Sequence, residues 1–215
     1  RKVYLISDMK PKSPPLESYS SLRSNLNFTA VDRKIKSIVI SSPHPMEGKT
    51  VTTANLGISY ALLGQNVLIV DADLRKPRQH KVFNVRKKPG LMEHLVEEID
   101  LEKVVYKTKV SGLQVIPCGK SPPNPAELIA SERMKVFMNT VKQKYDLVLY
   151  DSAPLLPVSD TLILSTQTDG LLLVVRHGFT DKRAVDQAKE NIERAQDISL
   201  LGVVINQMPT GRGYG

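Results

Sequence analysis

A glycine, a lysine and a threonine stand together after the first strongly apolar segment of the chain. Gly48, Lys49 and Thr50 end the run SSPHPMEGKT, and a segment with helical apolar spacing follows at once. Such a loop directs backbone amides at a phosphate chain, with the positive end of a helix behind it. We expect Lys49 to contact the β and γ phosphates and the Thr50 hydroxyl to bind Mg²⁺. The strict pattern requires glycine where this chain has Pro43, so a chance Gly-Lys-Thr stays an alternative.

Three aspartates follow two other apolar runs. Asp71 and Asp73 lie in VDADLR, and Asp151 ends YDLVLYD, which has the form of a Walker B segment. Carboxylates of this kind hold a hydrated Mg²⁺, or accept a proton from an attacking hydroxyl. A solvated or helix-capping Asp-x-Asp is the alternative for the first pair. Three such elements in the right order indicate a nucleotide site.

The elements that must position these residues alternate along the chain. The apolar runs do not alternate with polar residues, as is typical of parallel strands that are buried on both faces. They lie at residues 37–40, 67–70, 113–116, 147–150, 171–175 and 201–205. Candidate helices lie at residues 16–28, 49–63, 90–98, 125–144 and 181–195. This order predicts an α/β fold with a doubly wound, mostly parallel sheet, whose ligands bind beyond the carboxyl ends of the strands.

The predicted organisation is one P-loop domain at residues 31–209 between two smaller parts. Residues 9–15 carry three prolines and are not expected to form regular helix, so the helix after them is predicted to be a separate arm on a stiff linker. We therefore predict an N-terminal linker and helix at residues 1–30. Residues 210–215 are predicted to be a flexible tail.

Composition narrows the classes of partner. The net charge is +8, and seven of the fourteen residues from 75 to 88 are Lys or Arg, with no acid among them. Such a stretch attracts phosphate, acidic lipid or an acidic protein surface, and a solvated loop is the alternative. Aromatic residues are only 5% of the chain, which disfavours nucleic acid as a partner. With Cys118 as the single cysteine, no intramolecular disulfide forms, and a cytoplasmic protein is expected.

Four ordered motifs resemble those of the bacterial tyrosine kinases, P-loop enzymes that regulate capsule and exopolysaccharide synthesis. They are PMEGKT, VLIVDADLRKP, GKSPPNPAELIAS and YDLVLYDSAP, and the similarity covers nearly the whole chain. The resemblance implies the fold of the partitioning and septum-positioning ATPases, with ATP and Mg²⁺ as cofactors. It implies that Lys49 and Asp71 are catalytic, with Asp71 as the base toward the substrate tyrosine.

The same resemblance assigns further site residues. Thr50, Asp73 and Asp151 are the expected metal site. Asn206, at the end of the last predicted strand, resembles the residue that meets the adenine edge in related ATPases, and a turn cap is the alternative. The full predicted nucleotide-binding set is Pro45, Met46, Glu47, Gly48, Lys49, Thr50, Val51 and Asn206.

The helix at the N-terminus resembles the oligomerisation motif of the family. Glu17 and Arg23 match, but Ser20 stands where the middle arginine is expected. An amphipathic helix docked on its own domain is the alternative. Members phosphorylate a tyrosine cluster at their own C-terminus, and Tyr214 is the one tyrosine after the last predicted strand.

The sequence thus predicts an ATP-dependent protein-tyrosine autokinase that acts in trans and regulates exopolysaccharide or capsule synthesis. The first alternative is a non-kinase ATPase switch of the partitioning class, which usually has an extra lysine near the start of the phosphate loop. Here Pro43, His44 and Pro45 occupy that region. The second alternative is a catalytically silent scaffold.

The partners follow from the resemblance. They are other copies of the chain, in a ring for some members, a membrane-embedded polysaccharide co-polymerase that activates the kinase, and a cognate tyrosine phosphatase. The expected location is the cytoplasmic face of the plasma membrane, and the basic stretch is the expected place where the activator or the inner leaflet docks.

Overall fold

A single sheet organises the part of the chain that the computed structural model describes, residues 4–29 and 34–209. Its strands are β1 (Ser37–Ser41), β2 (Val67–Ala72), β3 (Tyr106–Lys107), β4 (Leu113–Ile116), β5 (Leu147–Ser152), β6 (Gly170–Arg176) and β7 (Leu200–Asn206). Their spatial order is β3-β4-β2-β5-β1-β6-β7, and all pairs are parallel except β3 with β4. The predicted mostly parallel sheet is confirmed.

Helices cover both faces of this sheet. They are α1 (Pro14–Thr29), α2 (Lys49–Ala61), α3 (Gln79–Val82), α4 (Leu91–Glu97), α5 (Leu101–Val104), α6 (Pro125–Ile129), α7 (Glu132–Lys144), α8 (Asp160–Ser165) and α9 (Lys182–Arg194). One apolar cluster joins α1 and α2 to the sheet, and the other joins α4 to α9 to its opposite face. The doubly wound layering expected from the alternation of elements is therefore present.

The central strands are buried along their whole length, as the apolar runs predicted. Every residue of β1, β2 and β5 is buried. The prediction of burial on both faces is wrong for β7, in which Leu200, Val203 and Ile205 are exposed. The reason is its position, because β7 is an edge strand that pairs only with β6.

Two helix predictions need correction. The helix predicted over residues 125–144 is two helices, because Ser131 caps the N-terminus of α7 by accepting a hydrogen bond from Met134 N at 3.2 Å. Regular helix was not expected before residue 16, but α1 begins at Pro14. Proline is tolerated in the first turn of a helix, where its missing N–H needs no partner within the helix. The short elements α3, α5, α8 and β3 were not predicted.

Helix α1 is docked on α2 rather than held apart as a separate arm. Arg23 Nη1 donates to the backbone oxygen and to Oγ of Ser59 at 2.7 Å each, and Arg23 Nη2 donates to Ser20 Oγ at 3.0 Å. Tyr60 donates its hydroxyl to Asn27 at 3.1 Å. Arg23 thus makes its contacts within its own chain, which favours the docked-helix alternative, while Glu17 is exposed. The oligomerisation roles of both residues stay predictions.

Leu26 provides a direct test of this docking, because it is 3% exposed and lies in the apolar cluster beneath α1. We expect Leu26→Ala to lower the free energy of unfolding by about 2–5 kcal/mol, the cost of a cavity in a packed core. Phe28→Ala is the matched control, since Phe28 is 73% exposed on the same helix and its loss is expected to matter by less than about 0.5 kcal/mol. Urea denaturation measures both, and equal small effects would contradict the docking.

The predicted boundary near residue 30 and the tail at 210–215, with Tyr214, lie outside the described residues. Among residues 4–29 and 34–209, no helix combines the length and the apolar character that crossing a bilayer requires.

Candidate active site

The loop between β1 and α2 has the geometry of a phosphate-binding loop. Gly48 caps the N-terminus of α2 with φ 101°, a left-handed conformation that glycine adopts without strain. A Cβ on Gly48 would lie 1.9 Å from Nδ2 of Asn206, so this position also lacks room for a side chain. The sequence Gly-Lys-Thr is thus at the turn from strand to helix, which favours a phosphate-binding loop over a chance occurrence.

Glu47 and Asn206 hold the loop in place. The buried Glu47 carboxylate accepts hydrogen bonds from His44 N at 2.9 Å and from the Thr180 hydroxyl. Asn206 Nδ2 donates to the backbone oxygen of Glu47 at 2.9 Å, and Asn206 Oδ1 accepts from Gln207 N. The loop is therefore fixed to the ends of β6 and β7. Asn206 thus has a turn-capping contact as well as a place beside the loop, and its contact with adenine stays a prediction.

Lys49 is the only cation in direct contact with the strand-end aspartates within the described residues. Its Nζ lies 2.8 Å from Oδ2 of Asp73 and 3.3 Å from Oδ1 of Asp151. Burial lowers the pKa of Lys49, but the charges of Asp151 and Asp73 raise it more, so that its pKa is above its usual value. Lys49 is thus held as a protonated, buried ammonium at the carboxyl edge of the sheet.

Asp71 is fully buried at the end of β2, with a different set of contacts. Its Oδ2 accepts hydrogen bonds from the backbone amides of Arg78 and Gln79 at 2.9 and 2.8 Å. Its Oδ1 is buried and has no hydrogen-bond partner among the residues that the structure describes. Burial, together with the charge of Asp151 opposite it on β5, raises the pKa of Asp71 well above its usual value. Asp71 is held in place through one oxygen, and the other is free to accept a proton.

Asp151 connects the sheet to the phosphate loop. Burial raises the pKa of Asp151, and the charge of Lys49 and a hydrogen bond from the Thr50 hydroxyl oppose that rise. Gln79 Nε2 donates to Asp151 Oδ2 at 2.9 Å and to the backbone oxygen of Thr50 at 3.1 Å. Gln79 was not among the predicted site residues, although it contacts three of them.

The charges and donor atoms of this cluster fit a hydrated divalent cation. Three carboxyl groups, those of Asp71, Asp73 and Asp151, surround one ammonium, so the acidic groups outnumber the cations of the cluster. The carboxylates of Asp73 and Asp151 and the Thr50 hydroxyl provide the oxygen donors that Mg²⁺ prefers. Among the described residues no group of three or more His, Cys, Asp or Glu is arranged as a closed metal cage.

Arg75 joins the loop after β2 to helix α8. Its Nε and Nη2 donate to the two carboxylate oxygens of Asp160 at 2.8 and 3.1 Å, and Asp160 is fully buried. A bidentate pair of this kind is geometrically specific. It fixes the position of the chain between Asp73 and Gln79.

Comparison with known proteins agrees with this site. A family model described as an AAA domain matches residues 35–201. The chain is 39% identical to tyrosine-protein kinase YwqD of Bacillus subtilis over 94% of this chain and 85% of that protein. The chain belongs to the bacterial tyrosine kinase family. The resemblance carried by the four motifs, and with it the assignment as a protein-tyrosine kinase, is therefore confirmed.

Other bacterial tyrosine kinases match over different shares of their length. The putative tyrosine-protein kinase CapB of Staphylococcus aureus is 34% identical, over 93% of this chain and 87% of that protein. The chain spans only 27% of tyrosine-protein kinase etk of Escherichia coli K12, to which it is 32% identical. This bacterial tyrosine kinase chain thus corresponds to nearly all of some relatives and to about a quarter of others.

Solved structures share this fold. The chimerical protein CapA2B2 superposes with a TM-score of 0.91 at 38% identity, covering 95% of this chain and 90% of that one. The kinase domain of Escherichia coli tyrosine kinase ETK gives 0.88 at 31% identity, covering all of this chain and 86% of that one. The septum site-determining protein MinD of Pyrococcus horikoshii, complexed with Mg-ADP, gives 0.68 at 23% identity over 83% of this chain and 72% of that one. The last similarity shows the shared fold alone.

The structure brings most of the predicted site residues of this kinase together. One cluster at the carboxyl edge of β1, β2 and β5 contains Lys49, Thr50, Asp71, Asp73 and Asp151. Other predicted residues surround that cluster without entering it. Pro45 and Met46 are exposed in the phosphate loop, Val51 is half-buried in α2, and Asn206 contacts the loop backbone.

Gln79 and Thr180 are the two contacts that sequence reasoning missed. Gln79 lies in the basic stretch, and Thr180 is the residue directly before Asp181, the N-cap of α9. Each contacts the phosphate loop or its helix from more than 25 positions away in the chain. No motif marks such a long-range contact. The basic stretch contains other uncharged residues, so composition does not distinguish Gln79 from them.

Proposed function

We propose that this tyrosine kinase transfers the γ-phosphate of ATP to C-terminal tyrosines of another copy of the chain, Tyr214 among them. The observation that carries the proposal is Asp71. One of its oxygens is fixed by two backbone amides, and the other is buried without a partner beside Lys49, Asp73 and Asp151. A carboxylate with a raised pKa in such a position is a general base suited to a phenol.

The proposed reaction is a direct displacement at phosphorus. The phenolic oxygen of the substrate tyrosine forms a bond to the γ-phosphorus while the bond from that phosphorus to the bridging oxygen of ADP breaks. The phenolic proton passes to Oδ1 of Asp71, and ADP leaves with the electron pair of the broken bond. Lys49 offsets the negative charge of the phosphates during transfer. Positioning and electrostatics thus supply most of the rate.

The proposed cation site consists of Thr50, Asp73 and Asp151. When bound there, Mg²⁺ supplies charge neutralisation on the β and γ phosphates. The ionisation state of Asp73 suits it to bind this cation. Burial raises the pKa of Asp73, but Lys49 and the backbone amides of Lys76 and Arg75 lower it more, so its net pKa is below the usual value. Asp73 therefore stays ionised at neutral pH.

The proposed setting is the cytoplasmic face of the plasma membrane, with a role in exopolysaccharide or capsule synthesis. The proposed partners are other copies of the chain, a membrane-embedded polysaccharide co-polymerase as activator, and a tyrosine phosphatase that reverses the modification. The basic stretch supports an acidic partner, since Arg86, Lys87 and Lys88 are exposed. The exposed Glu17 on α1 supports a contact between copies.

A mixing experiment tests transfer in trans. A mass-tagged Lys49→Met chain is incubated with untagged wild-type chain, ATP and Mg²⁺, and phosphotyrosine is located by mass spectrometry. We expect phosphate on Tyr214 of the tagged chain. We expect this C-terminal phosphotyrosine to be absent from a tagged Lys49→Met chain that also carries Tyr214→Phe. Phosphate confined to the untagged chain would contradict transfer in trans. Hydrolysis of ATP with no phosphotyrosine in either chain would favour the ATPase-switch alternative instead.

A further inference from the structure

Gln79 is a neutral, fully buried residue at the start of α3, in a stretch that is otherwise strongly basic. Its side-chain amide Nε2 donates to Asp151 Oδ2 at 2.9 Å and to the backbone oxygen of Thr50 at 3.1 Å. Its backbone N donates to Asp71 Oδ2 at 2.8 Å. A single residue therefore contacts three separate parts of the site, which are α2, the end of β2 and the end of β5.

These contacts determine which oxygens of the site remain available. With Oδ2 of Asp151 held by Gln79, it is Oδ1 of Asp151 that faces Lys49. Oδ2 of Asp71 accepts a hydrogen bond from the backbone N–H of Gln79, whereas Oδ1 of Asp71 has no partner among the described residues. The side-chain oxygen Oε1 of Gln79 is likewise buried without a partner. An unpaired buried acceptor is energetically costly, so two of them on contacting residues indicate donors that bind there.

We propose that Gln79 is a positioning residue of the Mg²⁺–nucleotide site. Its side-chain N–H fixes the orientation of the Asp151 carboxylate, and its side-chain oxygen Oε1 accepts a hydrogen bond from a water ligand of the cation. A hydrated Mg²⁺ presents such donors, because this ion keeps several of its waters when it binds to proteins. This inference deepens the proposed function and rests on the same site.

An uncharged amide is the suitable group at this position for two reasons. It donates to Asp151 and to the Thr50 oxygen, which a carboxylate cannot do. It also adds no charge to a cluster that already contains three carboxylates and one ammonium. Partners of this kind around metal ligands are worth about 10–100-fold in metal affinity when they are removed.

The test measures how much Mg²⁺ strengthens ADP binding, with a fluorescent ADP analogue as the probe. The dissociation constant of the ADP analogue is determined with Mg²⁺ at about 5 mM, a concentration expected to saturate a weak cation site. It is determined again with EDTA in place of Mg²⁺. In Gln79→Met, which keeps the length of the side chain but lacks the amide, we expect the ratio of the two constants to fall about 10-fold. The dissociation constant measured with EDTA is expected to change by less than about 2-fold, because Lys49 and the loop amides remain.

Two further variants make the result specific. Gln79→Glu keeps the shape and an acceptor oxygen, but it lacks the donors to Asp151 and Thr50 and adds a negative charge, so a loss is expected here as well. Lys81→Met is the matched control, since Lys81 is exposed on the same short helix and its ratio is expected to equal that of the wild type. An unchanged ratio in Gln79→Met, or an equal loss with and without Mg²⁺, would overturn the inference. The measurement needs no phosphate transfer, so it stands or fails apart from the proposed kinase reaction.

Discussion

Lys49→Met is expected to lower the rate of phosphotyrosine formation by about 10³-fold or more. The lysine is the only cation that contacts the aspartate cluster within residues 4–29 and 34–209, and it lies at the turn where phosphate is expected. Removing one preorganised charge from a phosphoryl-transfer site has effects of about this size. The measurement is the initial rate of phosphotyrosine formation with saturating ATP and Mg²⁺.

The same substitution is expected to affect stability, and this must be separated from the loss of rate. Lys49→Met leaves Asp73 and Asp151 buried without their cation, and breaking a buried pair costs about 3–5 kcal/mol. Lys49→Arg is the matched control, because it keeps the charge but not the compact ammonium. We expect Lys49→Arg to retain more of the stability while still losing most of the rate. Full activity in Lys49→Arg would show that charge alone suffices there.

Asp71→Asn is expected to have effects of opposite sign on rate and on stability. The rate of phosphotyrosine formation is expected to fall by about 10²–10⁴-fold, the usual contribution of a general base. The free energy of unfolding is expected to rise, because Asn keeps an acceptor for the amides of Arg78 and Gln79 and removes a buried charge that faces Asp151. Each kcal/mol of stabilisation corresponds to about 2–4 °C in Tm for a chain of this size.

The pH dependence gives this prediction its sign. The pKa of Asp71 is raised in the folded protein, so the folded state binds a proton more tightly than the unfolded state does. Stability that depends on this proton is present below the unfolded pKa of about 4 and is lost as pH rises through the folded pKa. Asp71→Asn removes that loss. Its advantage in the free energy of unfolding is therefore expected to grow as pH rises from about 4 toward neutrality, and a constant difference would contradict the assignment.

Local patterns in the sequence were sufficient for the sheet and for the charged cluster. The predicted runs within β1, β2 and β5 are mostly apolar and do not alternate with polar residues, in agreement with the burial of these strands along their whole length. Parallel strands bring their carboxyl ends to one edge of a sheet, so the positions of Asp71 and Asp151 followed from the strand assignments. The register of β2 and β5 pairs these two residues directly.

Features that depend on long-range contacts were not visible in the sequence. The burial of Leu26 beneath α1 and the contacts of Gln79 join segments that are far apart in the chain. Edge position, which exposes Val203 and Ile205, is a property of strand order and not of either strand alone. The split between α6 and α7 coincides with capping hydrogen bonds of Ser131, whose hydroxyl accepts from Met134 N and donates to the Leu128 oxygen.

The most direct test of the kinase assignment is to follow phosphate release and phosphotyrosine formation together. The chain is incubated with γ-labelled ATP and Mg²⁺, and labelled protein is hydrolysed to identify the phosphoamino acid. Wild-type chain is expected to accumulate labelled phosphotyrosine, with no label on serine or threonine. Asp71→Asn is expected to accumulate labelled phosphotyrosine only at the reduced rate given above. Release of labelled phosphate with no labelled phosphotyrosine would contradict the account.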